Sequence, residues 1–104
     1  MKLMQDPSPW QPENDKLHLA VVGKLGEEAS ELSSACHRCS IQGVDGKHPV
    51  TGKSNREWLQ DEIADVLAGC AIAIEHFNLD LTEIMERREM KRKHKKAWHG
   101  LIQR

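Results

Sequence analysis

The segment from Ser54 to Phe77 constrains the fold most strongly. Apolar side chains recur there every three or four residues, as on one face of an α-helix: Leu59, Ile63, Val66, Leu67, Cys70, Ile74 and Phe77. Much of the remaining surface of this helix is alanine or glycine, so it can also pack on a second side. A helix with two packing faces belongs inside a bundle. We therefore predict an all-α fold, an antiparallel helical bundle of three to four helices per chain that is completed by oligomerisation.

Two further helices flank this one. Asn14 or Asp15 is a good N-cap, and an apolar stripe predicts a first helix from there to about Ser40. A third helix is predicted from Asp80, which begins a sequence resembling a capping box. Three prolines make residues 1–13 an extended arm and leave 14–104 as the helical domain.

The segment between the first two predicted helices, residues 41–53, contains three glycines and a proline. It is predicted to be a loop, with a short irregular hairpin as one form of it. Thirteen residues is long for such a small domain, which indicates either a lid over a ligand or plain disorder. The sequence leaves both alternatives open.

Composition excludes several classes of protein. With 104 residues the chain makes one small domain, and a net charge of -1 argues against a nucleic-acid binder or a membrane-surface protein. We see no apolar run of membrane-spanning length and no signal peptide, so the expected location is the cytoplasm. The three cysteines, which include Cys36 and Cys39 in a C-x-x-C, are interpreted as buried small apolar residues rather than as zinc ligands, redox groups or a disulfide framework.

Two acidic clusters stand out beside the apolar stripes. Glu27, Glu28 and Glu31 share one side of the first helix, and Glu62 and Asp65 share one side of the second. Like charges at this spacing repel one another. Two antiparallel helices could bring four carboxylates together around Mg²⁺ or Mn²⁺, which prefer such oxygen ligands. The alternative is that both clusters are solvated helix flanks.

The third helix is strongly basic. Between Arg87 and Lys96 there are seven lysines and arginines against one acid, Glu89. Such a run is typical of a solvated helix face, or of a helix C-terminus whose cations complement the helix dipole. Beside an acidic metal site, the same cations could instead bind the phosphates of a ligand.

The paired acidic motifs carry a family resemblance. Glu27-Glu28-Ala29-Ser30-Glu31 and Glu62-Ile63-Ala64-Asp65 resemble the E-E-x-x-E and E-x-x-D motifs of the MazG-like branch of the all-α nucleoside triphosphate pyrophosphohydrolases. The similarity extends over residues 14–98 and is to the short stand-alone members of bacteria and phages. It departs from the family in the long gap between the two motifs and in His94, where many relatives carry Asn.

The resemblance implies hydrolysis between the α and β phosphates of a nucleoside triphosphate. By position, Glu28, Glu31, Glu62 and Asp65 would bind Mg²⁺ or Mn²⁺, and Glu27 would be the general base. Purine deoxynucleotides such as dGTP or dATP are the favoured substrates. A homo-oligomer, dimer or tetramer, is expected, with no membrane and no stable nucleic-acid partner.

The remaining site residues are assigned more broadly. Phosphate contacts are predicted for four cations of the basic segment, Arg88, Lys91, Lys95 and Lys96. The pocket for the rest of the substrate is predicted to include Trp10, Lys24 and Lys53.

Two alternatives remain beside this interpretation. Phosphoribosyl-ATP pyrophosphatases look similar around Gly26-Glu27-Glu28 and around the motif from Glu62 to Asp65, but they look less similar at the basic end with Trp98. A non-catalytic helical module could instead bind nucleic acid through the basic segment 87–96.

Overall fold

The computed structural model describes residues 8–104, which form three helices and no strand. Helix α1 spans Lys16–Gln42, α2 spans Asn55–His76 and α3 spans Leu81–Ile102. The all-α prediction with three helices in the chain is therefore confirmed. The predicted extended arm lies partly outside the described residues, which begin at residue 8.

The helices begin where capping residues predict. The carboxylates of Asp15 and Asp80 each accept a hydrogen bond from the backbone N–H three residues on, at 2.9 and 3.0 Å. The Ser54 hydroxyl oxygen accepts from the Glu57 backbone N–H at 3.1 Å. The Glu57 carboxylate accepts from that hydroxyl at 3.2 Å, rather than from a backbone N–H as a full capping box would require. Asn78 takes the left-handed conformation after α2, with φ 51°, as predicted.

Helices α1 and α2 pack against each other in antiparallel fashion. At one end His18 Nδ1 lies 2.7 Å from His76 Nε2, and this pair ties the start of α1 to the end of α2. About a third of the way along the pair from that end, Leu25 packs directly against Gly69, where a Cβ would lie only 3.0 Å from the leucine side chain. The absence of a side chain at position 69 thus sets how closely the two helices approach.

The loop between α1 and α2, residues 43–54, is an irregular hairpin. Lys47 pairs with Ser54 in an isolated antiparallel bridge. The Gly46 carbonyl accepts the Asn55 backbone N–H at 2.8 Å. The loop therefore supplies acceptors for the first amides of α2 and holds the helix start in place. Of the two alternatives left open by the sequence, disorder does not describe this segment.

The three cysteines are free. Cys39 and Cys70 are half-buried, whereas Cys36 is exposed. The prediction that all three are buried is wrong for Cys36, because its position lies on the side of α1 that α2 does not cover.

Helix α3 packs extensively on neither α1 nor α2. The radius of gyration is 19.1 Å, whereas a compact chain of this length has a value of about 13 Å. Large apolar side chains of α3 stay exposed in consequence, among them Leu81, Met85 and Trp98. No helix in the described residues is long and apolar enough to cross a membrane.

Candidate active site

Four carboxylates meet where α1 and α2 face each other. One oxygen from each of Glu28, Glu31, Glu62 and Asp65 can be chosen so that all four lie within 4.8 Å of one another. Each helix supplies two acids three residues apart, and the antiparallel packing places the two pairs opposite each other. The structure thus brings together the four side chains that the sequence singles out as metal ligands.

Two of these carboxylates each have one oxygen that no described protein atom satisfies. Glu28 Oε2 and Glu62 Oε2 are buried without a hydrogen-bond partner among the described residues. Burying a carboxylate oxygen without a partner is costly, and native proteins do so rarely. The two oxygens are therefore available to a cation or to a hydrogen-bond donor that the described protein groups do not supply.

The spacing of the oxygens fits a small divalent cation. Oxygens on opposite sides of one Mg²⁺ lie about 4.2 Å apart, twice the usual metal–oxygen distance. The observed spread of 4.8 Å exceeds this by an amount that small side-chain rotations can close. An all-oxygen set of acids is also the donor chemistry that Mg²⁺ and Mn²⁺ prefer.

The charges of the cluster act on one another. The pKa of Glu31 is raised, first by desolvation and then by the neighbouring charges of Glu28, Glu62 and Glu27. Lys24 is the cation nearest to α1's acids, 3.4 Å from Glu28 and 3.5 Å from Glu27. The pKa of Lys24 is raised in turn, mainly by Glu27. One lysine does not neutralise this many acids, which again favours a cation among them.

Comparison with known families agrees with this chemistry. The family model described as phosphoribosyl-ATP pyrophosphohydrolase matches residues 1–94 of the 104. The chain belongs to this family. No curated protein and no solved structure matches it. The family lies within the MazG-like all-α superfamily, so the resemblance is confirmed at that level. The match is, however, to the phosphoribosyl-ATP pyrophosphatases, which were an alternative on sequence alone.

Membership of the phosphoribosyl-ATP pyrophosphohydrolase family indicates a hydrolase that acts on a nucleotide and releases pyrophosphate. In this context Glu27 stands apart from the four converging acids. Its side chain is 56% exposed and its nearest charged partner is Lys24. A carboxylate beside the cluster but outside it remains available to accept a proton, and its role as general base stays a prediction.

The four residues that the sequence predicts to bind phosphate in this pyrophosphohydrolase all lie on α3. Arg88, Lys91, Lys95 and Lys96 are all exposed, on a helix that packs extensively on neither of the acid-bearing helices. Within one chain, the structure therefore does not bring them to the carboxylates. Their role stays a prediction that depends on how α3 meets another copy.

The three residues predicted for the substrate pocket are dispersed. Trp10 is 85% exposed, before the start of α1. Lys24 belongs to the acidic cluster through its ion pairs. Lys53 bonds to Asp61 at 2.7 Å and lies 3.9 Å above the centre of the Trp58 ring. The structure groups none of the three around a common cavity.

Sequence reasoning missed a pocket at the loop end of the α1–α2 pair. Its volume is about 410 Å³, and the side chains that define its character are Arg38, Lys47, His48 and Trp58. A signal for it was present. Arg38 lies seven residues after Glu31, and Trp58 lies four before Glu62, so both share a helix face with an acid of the cluster.

Proposed function

We propose that this protein hydrolyses a nucleoside triphosphate between the α and β phosphates, in a reaction that requires Mg²⁺ or Mn²⁺ and yields a nucleoside monophosphate and pyrophosphate. The observation that carries the proposal is the convergence of four carboxylates, two of them with buried oxygens that no described protein group satisfies. Phosphoryl transfer requires mainly charge neutralisation and positioning, which such a site provides.

Each acidic residue has a role in this proposal. Glu28, Glu31, Glu62 and Asp65 hold the divalent ion. When bound, that ion offsets phosphate charge and makes a coordinated water more acidic. Glu27 accepts the proton of the attacking water, since its carboxylate borders the cluster and stays exposed. Lys24 keeps Glu27 and Glu28 oriented through its two ion pairs.

The substrate is proposed from two sources. The family match favours phosphoribosyl-ATP. The resemblance to short MazG-like enzymes favours a purine deoxynucleoside triphosphate such as dGTP or dATP. Both contain the same α–β phosphate bond, so the acidic site serves either. The two substrates differ in the part outside the triphosphate, a phosphoribosyl group in one and a deoxyribose in the other, which residues outside the acidic site must bind.

The decisive experiment measures pyrophosphate release from phosphoribosyl-ATP and from a panel of ribo- and deoxynucleoside triphosphates with Mg²⁺. The variants Glu28→Ala and Asp65→Ala should reduce the rate to background. Glu75→Ala, an exposed acid of α2 outside the cluster, is the matched control and should behave as the wild type. Equal rates for wild type and both cluster variants would refute the proposed hydrolase.

We also propose that the protein is a homo-oligomer, a dimer or a tetramer. The large radius of gyration and the exposed apolar side chains of α3 support this proposal. A monomer would leave those apolar side chains in water. Light scattering at micromolar concentration should give a mass of at least twice 11.8 kDa. A well-folded species of 11.8 kDa would contradict it.

A further inference from the structure

Two histidines from opposite helices meet at the end of the α1–α2 pair that lies away from the loop. His18 is in the first turn of α1, and His76 is the last residue of α2. Both side chains are half-buried, and His18 Nδ1 lies 2.7 Å from His76 Nε2. Only one proton fits between two nitrogens at this distance, so at least one of them directs a lone pair at the other. The contact thus places two imidazole nitrogens around one point.

The other ring nitrogen of His18 faces a carboxylate. His18 Nε2 lies 3.8 Å from Glu13 Oε1. A carboxylate in this position favours the neutral tautomer that has its proton on Nε2, which leaves His18 Nδ1 unprotonated on the side of His76. Histidines that bind metals in proteins usually have this arrangement, with the nitrogen that does not bind the ion directed at a carboxylate or carbonyl. Glu13 and His18 therefore stand as a metal ligand and its orienting partner do.

Neighbouring groups hold both imidazole rings in place. The ring of Phe77 lies 5.0 Å from that of His18 and 4.7 Å from that of His76, measured between ring centres. The two imidazoles themselves meet edge to face, at 75°. The Asp15 carboxylate accepts the His18 backbone N–H at 2.9 Å and fixes the backbone from which that ring projects. The orientation of the two nitrogens is therefore set by packing and not by their mutual contact alone.

The separation of the two nitrogens suits a transition-metal ion after a small adjustment. Two imidazole nitrogens on one tetrahedral Zn²⁺ lie about 3.3 Å apart, so the 2.7 Å contact must open by about 0.6 Å. Small rotations of the two rings provide this. The His18 side chain is 39% exposed, so an ion can enter from solvent and water can fill its remaining coordination positions.

Charge and ligand type distinguish this pair from the acidic cluster. Asp15 Oδ1 lies 3.7 Å from His18 Nδ1, and Glu13 lies on the other side of the ring, so two carboxylates are close enough to offset the charge of a divalent ion. His18 precedes Glu28 by ten residues, about 15 Å along α1. Imidazole nitrogen suits Zn²⁺, Ni²⁺ and Cu²⁺, whereas an all-carboxylate set suits Mg²⁺ and Mn²⁺. The two places should therefore bind different ions.

We propose that His18 and His76 form a second metal site, which binds a transition-metal ion such as Zn²⁺ or Ni²⁺ through His18 Nδ1 and His76 Nε2. On binding, His76 keeps one ring proton, which moves from Nε2 to Nδ1, and each facing nitrogen gives its lone pair to the ion. Because the ligands come from two helices, the ion cross-links the start of α1 to the end of α2 and stabilises the packed pair. The site goes beyond the proposed hydrolysis, since it requires no nucleotide and none of the four carboxylates.

Nuclear magnetic resonance of the histidine rings tests the site directly. Zn²⁺ is titrated into the untagged, ¹⁵N-labelled full chain with excess Mg²⁺ present, in a Cys36→Ser background so that the exposed thiol does not compete. In long-range ¹H–¹⁵N spectra, His18 Nδ1 and His76 Nε2 should shift, and the other four of the six histidines should not. Shifts confined to those other histidines, or no shift up to about 1 mM Zn²⁺, would refute the site.

Removing both ligands should abolish the effect of the ion on stability. Zn²⁺ should raise the Tm of the parent protein and leave that of His18→Gln/His76→Gln unchanged, with Zn²⁺ affinity at least about tenfold weaker in the variant. His94→Gln/His99→Gln, two exposed histidines of α3, is the matched control and should bind within about twofold of the parent. A rise in Tm that persists in His18→Gln/His76→Gln would place the ion elsewhere and overturn the proposal.

The variant Glu13→Gln guards against a folding defect, because Glu13 is exposed, precedes α1 and leaves both ligands in place. Loss of the carboxylate that orients His18 should weaken Zn²⁺ binding by about tenfold, while the circular dichroism and Tm of the metal-free protein stay unchanged. Glu86→Gln on α3 removes the same charge far along the chain and should bind as the parent does. Equal affinities for these two variants would overturn the ligand arrangement on which the site depends.

Discussion

The α1–α2 pair and helix α3 differ in almost every structural respect. The pair contains the buried alanines Ala35 and Ala73, the acidic cluster and the folded loop, and it is tied at its far end by the two histidines. Helix α3 is as long as α2, but it has no buried residue and packs on neither neighbour to a comparable extent. Both regions have well-formed caps, so local sequence alone does not explain the difference.

One chain is enough to assemble the carboxylate site, but it does not bring the cations of α3 to that site. The carboxylates need only the packing of α1 on α2, because each helix supplies two of them at fixed spacing. Among residues 8–104 the cations of α3 form one ion pair, Arg92 with Glu89 on the same helix, and most of its large apolar side chains stay exposed. A helix whose stability comes from packing rather than propensity needs a partner, and a second copy would supply one. Metal binding and phosphate contact should therefore respond to different mutations.

The largest effect should come from Glu62→Ala, which removes a carboxylate with a buried oxygen. We expect kcat to fall by on the order of 10³-fold, because metal-based charge neutralisation is lost. Lys91→Glu/Lys95→Glu on α3 should instead raise KM by on the order of tenfold and leave Mg²⁺ binding unchanged. Steady-state kinetics and calorimetry with Mg²⁺ measure the two effects.

Arg87→Glu/Lys93→Glu is the matched charge-reversal control on α3, since neither residue is assigned to the site. Were the Lys91 and Lys95 reversals to abolish Mg²⁺ binding as well, the two regions would not act separately. Were they to abolish nucleic-acid binding while Glu62→Ala changed no activity, the non-catalytic alternative would replace the hydrolase.

The sequence predicted the parts of this molecule that depend on local rules. Helical spacing places Glu28 with Glu31 and Glu62 with Asp65, and capping chemistry places Asp15 and the other helix starts. The pairing of the two acidic motifs was accessible because both border apolar stripes that had to face each other. The branch of the superfamily was harder to predict from the sequence, because its branches share the same short acidic motifs.

What the sequence missed depends on contacts between distant segments. The pocket around Trp58 needs the loop to fold back on the start of α2, and no periodicity encodes that hairpin. The pairing of His18 with His76 joins residues 58 positions apart. The separation of α3 was also missed, because an amphipathic helix looks the same in sequence whether its partner is in the same chain or another.

A smaller effect should follow from Gly46→Ala in the loop that closes the α1–α2 pair. A Cβ at this position would lie 2.6 Å from the Gln42 carbonyl oxygen, which is backbone and cannot move aside cheaply. We expect the free energy of unfolding to fall by about 1–3 kcal/mol. Gly23→Ala on α1 is the control, since its Cβ meets no atom within 4 Å, and it should stabilise by about 0.5–1 kcal/mol. Urea denaturation measures both, and equal values would show that the loop does not brace the pair.

The smallest effect concerns the charge balance of the acidic cluster. The pKa of Glu31 is raised above its usual 4.5, mainly by desolvation and next by Glu28. The folded state therefore binds this proton more tightly than the unfolded state, so its contribution favours folding at low pH and is lost as pH rises through the folded pKa.

In EDTA, Glu31→Gln should accordingly raise Tm slightly at pH 7.5, and the gain should shrink as pH is lowered toward that raised pKa. With saturating Mg²⁺ the order should reverse, because the wild type gains a ligand that binds only the folded protein. Glu86→Gln on α3 lies outside the cluster and should show neither trend. A Glu31→Gln variant that is less stable than the wild type in EDTA at pH 7.5 would mean that the four acids do not destabilise the folded protein by repelling one another. The electrostatic argument for a bound cation would then fail.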